Sequence, residues 1–290
     1  MTIPAPPLST STEFAMRYLW LTAWSDIIES LRARWFFIYS LVFGGIVIVL
    51  FLLGITESRV MGFTGLSRLL LVYIQLCMAV LPIFVLITTV RSVAGDREAG
   101  VFEYLLSLPT PLSAWYWGKM LGRFSVIFLP VFLAMAGAIA WGVIKGAEMP
   151  WEPFIYYTGL LLSLTWCFLG MGMLISTMAR STDVAQGTAF VAWLMLILFL
   201  DLILLGVMIR EHIPAETAVA VALANPLQVF RTAAMLLFDQ QLVLLGPTAY
   251  VILDHFGVNG YVAWAIFYPV LIGTLCAAFG YWLFRRGDLP

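Results

Sequence analysis

The chain has 290 residues, 62% of them hydrophobic and only 11% charged, with a mean hydropathy of +1.00. Soluble domains are roughly half apolar and about a quarter charged, so the composition excludes a soluble fold and points to an all-α polytopic membrane protein. The formal net charge of -1 says nothing about nucleic acid, but no basic tract is present to bind it, and no nucleic-acid partner is expected.

Residues 1–12 (MTIPAPPLSTST) lack a basic stretch followed by an apolar one; no cleaved signal is expected, and the segment reads as disordered. Residues 13–34 set Phe14, Leu19, Leu21, Ile27, Ile28 and Leu31 against Arg17, Asp26, Glu29 and Arg32, the pattern of a helix lying in the membrane interface. Residues 35–290 then form a transmembrane domain. Crossing a bilayer takes about 20 mostly apolar residues, and six stretches qualify: Trp35–Ile55, Leu69–Val90, Leu121–Ile144, Phe154–Met178, Gly187–Ile209 and Val262–Phe284. Tryptophans such as Trp35, Trp115, Trp141, Trp151 and Trp282 mark their ends, as an aromatic belt requires. Pro82, Pro130 and Pro269 lie inside spans, where neighbouring helices can satisfy the freed carbonyls.

Placing the N-terminus in the cytoplasm puts Arg17, Arg32, Arg34, Arg91, Arg97, Lys119, Arg123, Arg180, Arg285 and Arg286 inside, against Arg59, Arg68, Lys145, Arg210 and Arg231 outside. That is the positive-inside bias, and it leaves both termini cytoplasmic in the cell (inner) membrane. The outer segment 213–253 is apolar, but Asn225-Pro226 splits its centre into halves too short to cross. It reads as a re-entrant helical pair before the last span; a seventh and eighth span is the alternative. Asn225, Pro226 and the lone Arg231 are gate candidates there. Asp201, inside LILFLDLILLG, is either a conduit residue or a protonated acid bonded to backbone.

Enzyme chemistry is missing. Gly118-Lys119 has Ser113 where a phosphate loop needs glycine and Met120 where it needs Ser or Thr, and neither HExxH nor GxSxG occurs. Glu211-His212 and Asp254-His255 could in principle hold a metal at the outer face, but adjacent residues diverge along a strand or helix, and solvated loop residues are the commoner reading. Cys77, Cys167 and Cys276 sit apart in apolar runs as small core residues. The methionines suit copper(I) in principle, but flexible packing is their commoner use. No catalytic residue, metal ligand or cofactor is expected in this chain.

The segment 91–119 is the exception to the oil. Asp96, Arg97, Glu98 and Glu103 cluster ahead of Val101, Phe102, Leu105, Leu106 and Leu108, with Gly95 and Gly100 breaking the approach and Pro109 and Pro111 the exit. This is either an ordinary interfacial helix or one shaped to enter a groove on a soluble partner. The run DREAGVFEYLLSLPTPLSAWYWGK resembles the signature of ABC-2 type transporter permeases, at Asp96, Glu98, Gly100, Glu103, Leu105, Leu106, Ser107, Pro109, Gly118 and Lys119. Asp96 replaces the usual first Glu, and Val101 a Thr. The stretches GFTGL (Gly62–Leu66) and ANPLQVFR (Ala224–Arg231) resemble one branch, the Nos-type permease of nitrous-oxide reductase maturation.

The resemblance implies an N-terminal elbow helix (13–34), six spans and a paired second copy. It also implies two cytoplasmic ATP-binding subunits, which would hold ATP and magnesium. Phe102–Leu108 would be the coupling helix docked on the ATPase, within a coupling segment 91–119 whose ATPase-coupling residues would be Asp96, Arg97, Glu98, Gly100, Phe102, Glu103, Leu105, Leu106 and Pro109. Arg180 and Asp183, in ARSTDVAQG, would belong to a second, smaller contact. In the Nos branch a periplasmic accessory protein sits outside and the complex serves copper-enzyme maturation. The alternatives are an ABC-2 exporter of lipid or drug, or a secondary transporter or membrane anchor. A secondary transporter should carry several intramembrane charges, and here Asp201 stands alone.

Overall fold

The computed structural model describes residues 8–52, 65–107, 111–146, 148–199, 223–236 and 247–286, and every regular element among them is a helix. Helix α1 (Leu8–Arg32) meets α2 (Arg34–Leu52) at Ala33, where the axis bends by 74°. Then come α3 (Gly65–Thr89), α4 (Arg91–Glu98), α5 (Val101–Ser107), α6 (Leu112–Ile144) and α7 (Trp151–Met178). Helix α8 (Thr182–Leu194) runs into a π turn at Met195–Phe199; α9 (Pro226–Leu236) and α10 (Pro247–Arg286) complete the order, α10 being kinked at Gly257 (φ 62°).

Among the described residues, four helices are long and apolar enough to cross a membrane: Leu69–Glu98, Leu112–Ile144, Trp151–Met178 and Gly257–Arg286. The bent pair α1–α2 supplies a fifth if counted as one span. In the first of the four, the apolar part ends near Thr89, and the charged remainder is α4. The crossing expected near Gly187–Ile209 is described only as far as Phe199, and Asp201 and Pro109 lie outside the described residues. Helix α6 starts earlier than the expected span. Pro111 precedes it in extended conformation (ψ 123°) and its carbonyl accepts from Ala114 and Trp115 N–H, so the lead-in to the bilayer is already helical.

Within a bilayer, apolar surface does not drive helices together; close backbone approach does, and that needs small residues. Between α7 and α10 the contact is glycine on glycine. A Cβ on Gly170 would fall 1.9 Å from the Gly273 carbonyl oxygen, and one on Gly273 would fall 2.6 Å from that of Trp166. Gly118 and Gly122 do the same for α1 against α6, where added Cβ atoms would meet Leu19 O at 2.7 Å and Ala23 O at 2.6 Å.

Helix α9 is too short to cross, about 16 Å at 1.5 Å per residue, and almost every side chain on it is buried against α3, α7 and α10. Its ends are closed by side chains. The Asn225 Oδ1 accepts the Leu227 N–H at 3.0 Å, while its Nδ2 donates to Leu196 O in the π turn at 2.8 Å. The last four carbonyls of a helix lack internal partners; here Tyr156 and Tyr157 of α7 donate to Ala233 O and Ala234 O at 2.6 and 3.1 Å. From α10, Tyr261 reaches Val229 O at 3.3 Å and Tyr268 reaches Ala224 O at 2.6 Å.

Replacing Gly170 by alanine should cost about 1–3 kcal/mol through overpacking. Gly137→Ala, with nothing within 4 Å of the new methyl, should be neutral or slightly stabilising. Thermal unfolding of the two purified variants in detergent checks the contrast.

Candidate functional site

Asp96, Arg97, Glu98 and Lys119 of segment 91–119 gather on and beside α4, whose first turn is closed by a group from elsewhere in the fold. Its first turn leaves N–H groups without internal acceptors, and the preceding Val90 offers no side-chain cap. Ser176 of α7 fills the role: its Oγ accepts from Val93 N and Ala94 N, both at 3.0 Å, and donates to Val90 O at 2.6 Å. Along its flank, Lys119 of α6 pairs with Asp96 and donates to Ser92 O. Lys119 also stands 5.1 Å from the centre of the Trp115 ring, a cation–π position.

One turn further along α6, Arg123 repeats the pattern. Its Nη1 donates to Thr88 O at 2.9 Å and its Nη2 to Asp26 Oδ1 of α1 at 3.0 Å. The Asp26 side chain is 2% exposed. Asp26 Oδ2 and Arg123 Nε make no further hydrogen bond among the described residues, so the pair is buried but incompletely satisfied.

The far end of α4 carries Arg97 and Glu98, which face the turn between α7 and α8. The Arg97 guanidinium donates to Ala179 O at 2.9 Å and, more distantly, to Thr177 O at 3.5 Å. The Glu98 carboxylate accepts from Thr182 N at 2.9 Å and from Thr182 Oγ1 at 2.7 Å. A cation thus meets the carbonyl end of α7 while an anion meets the N–H end of α8, the signs that the helix dipoles favour. Ser181, just before α8, caps it in addition by accepting from Val184 N–H at 3.3 Å.

The two Thr182 hydrogen bonds hold the exposed Glu98 carboxyl below its ordinary range, with Arg91 adding to the effect. A carboxyl lowered on folding stabilises above its unfolded pKa and loses that contribution as pH falls through the lowered value. The contact is therefore complete at neutral pH.

Gly95, expected to break the approach, lies inside α4, with an added Cβ 3.7 Å from Thr182 Cγ2. Gly100 does end the helix: at φ 67° it takes the left-handed conformation of a glycine stop, and its N–H bonds back to Arg97 O. In α5, Phe102 is buried within the chain between Trp115 (5.4 Å between ring centres) and Phe284 (5.3 Å), while Tyr104 is 67% exposed. Glu103, Leu105 and Leu106 are on the same helix. Arg180 and Asp183 flank the turn that Arg97 and Glu98 hold, so both expected contact segments come together. Asn225, Pro226 and Arg231 lie apart from them, on and before α9.

Ser176, Arg123 and Asp26 are not marked by the sequence as members of this site, and Thr182 only as part of ARSTDVAQG. Arg123 had a signal, standing four residues after Lys119 on one helix face. Ser176 had none, since a serine in a span reads as packing.

A profile of the family described as "ABC-2 family transporter protein" matches residues 20–289, nearly the whole chain. The chain belongs to the ABC-2 transporter family. Two relatives, each named a probable ABC transporter permease protein NosY, share this ABC-2 chain's pattern over most of their length. That of Stutzerimonas stutzeri is 25% identical over 223 residues, covering 74% of this chain and 80% of its own. That of Pseudomonas aeruginosa is 24% identical over 236 residues, covering 77% and 84%.

Removing one partner of a buried ion pair leaves an uncompensated charge, at a cost of about 3–5 kcal/mol. Asp26→Ala should therefore destabilise this ABC-2 chain strongly, and Asp26→Ala with Arg123→Leu should recover most of the loss. Unfolding midpoints of both variants in detergent check the coupling.

Proposed function

We propose that the chain is the membrane subunit of an ATP-driven transporter, working as a pair with two separate ATP-binding subunits that hold ATP and magnesium. The observation that supports this best is the α4–α5 segment: charged, clasped to α6, α7 and α8, and presenting Tyr104 outward. In this reading α5 docks on the ATPase beside the Arg180–Asp183 turn. Helix α1 lies along the cytoplasmic interface, its exposed Phe14, Met16, Trp20, Leu21 and Trp24 in lipid. Helix α9 is the re-entrant element closing the conduit from the outer side, possible in hydrocarbon because Asn225 and the tyrosines satisfy its ends. Cation–π pairs, Lys145 on Trp141 and Arg286 on Trp282, anchor α6 and α10 at opposite interfaces. Likeness to the two NosY relatives favours a role in maturing a copper enzyme with a periplasmic accessory protein over export of lipid or drug.

The isolated chain should hydrolyse no ATP, whereas the complex with its ATP-binding subunit should. Tyr104→Glu should weaken co-purification of the two without lowering the unfolding midpoint of the chain alone, because the side chain is exposed. Undiminished co-purification would remove α5 from the docking surface. A cysteine at Glu148 should crosslink a periplasmic protein in native membranes; capture of lipid alone would favour the exporter.

A further inference from the structure

Arg97 and Glu98 stand in the segment expected to meet the ATPase, yet the contacts described for both side chains run back to the chain itself. They grip the α7–α8 turn from one side, while Ser176 at the end of α7 grips the start of α4 from the other. Six hydrogen bonds therefore join two segments more than 80 residues apart in sequence. They use helix-end groups that would otherwise lack partners. Resting on the ATPase-docking reading above, we propose that Arg97, Glu98 and Ser176 are positioning residues. They make α4 and the α7–α8 turn one rigid body, so that the ATPase moves a single unit in each permease copy.

A covalent substitute for the clasp tests this. Glu98→Cys with Thr182→Cys, in a Cys276→Ala background because Cys77 and Cys167 are buried, removes the hydrogen bonds and places two thiols where they were. In the complex with the ATP-binding subunit, the unbridged pair should hydrolyse ATP more slowly than the wild type. Bridging with a short bismethanethiosulfonate should restore the rate, and reductant should reverse the restoration. Arrest on bridging would show that the segments separate during turnover and would overturn the proposal, as would wild-type turnover before bridging. If the cysteine pair fails to assemble, Glu98→Gln and Thr182→Val replace it: the Gln Oε1 still accepts from Thr182 N and its Nε2 donates to Thr182 Oγ1, whereas Thr182→Val removes the hydroxyl contact. Turnover should then fall only in the second, and equal rates would overturn the proposal. Failure of the wild-type chain itself to bind the ATP-binding subunit is a separate outcome, which removes the docking reading and this one with it.

Discussion

Two neighbouring side chains of opposite charge, Arg97 and Glu98, meet two helix ends of opposite polarity across the turn from Ala179 to Thr182. Much of the charged end of the molecule is arranged so that this meeting can occur. Helix α4 has to be held at a fixed azimuth, which Ser176 and Lys119 accomplish from α7 and α6. Helix α6 has to project beyond the apolar zone to bring Lys119 level with Asp96, hence its early start after Pro111. Reversing the two residues would set a cation at an N–H end and an anion at a carbonyl end, with like partial charges opposed on both sides.

The same requirement, that backbone groups find partners where water is scarce, governs the opposite half of the fold. A helix ending inside a bilayer exposes unpaired carbonyls at several kcal/mol each. Tyrosine suits the task because its ring is at home in lipid-like surroundings and its hydroxyl donates from the tip. Tyr39 and Tyr73 also donate to backbone carbonyls of α6, Ile127 O and Val131 O.

Four of the expected spans, near Leu69–Val90, Leu121–Ile144, Phe154–Met178 and Val262–Phe284, were legible because length and apolarity alone define them, and the ends of α3, α6 and α7 fall near tryptophans or charges that announce a boundary. The ABC-2 signature was legible as a pattern, although the work of its members was not. Phe102 reads as part of an outward ridge, but its aromatic neighbours Trp115 and Phe284 come from α6 and α10, 182 residues of separation in the latter case, and no local periodicity shows that. Gly95 reads as a breaker because propensity disfavours it in a helix by about 1 kcal/mol; it nevertheless lies inside α4. The roles of Thr182 and Ser176 were not legible, because one hydroxyl among many carries no sign of which helix end it will meet.

Gly118 and Lys119 are successive on α6, so their side-chain directions differ by about 100° around its axis. The bare face of the first admits α1 to backbone contact, and the long cation of the second reaches α4. Two partners are thus seated on adjoining sides of a single turn, as two gears mesh with one pinion. Any rolling of α6 about its own axis is felt at the amino-terminal helix and at the charged segment in the same instant, with no other element needed to keep them in phase.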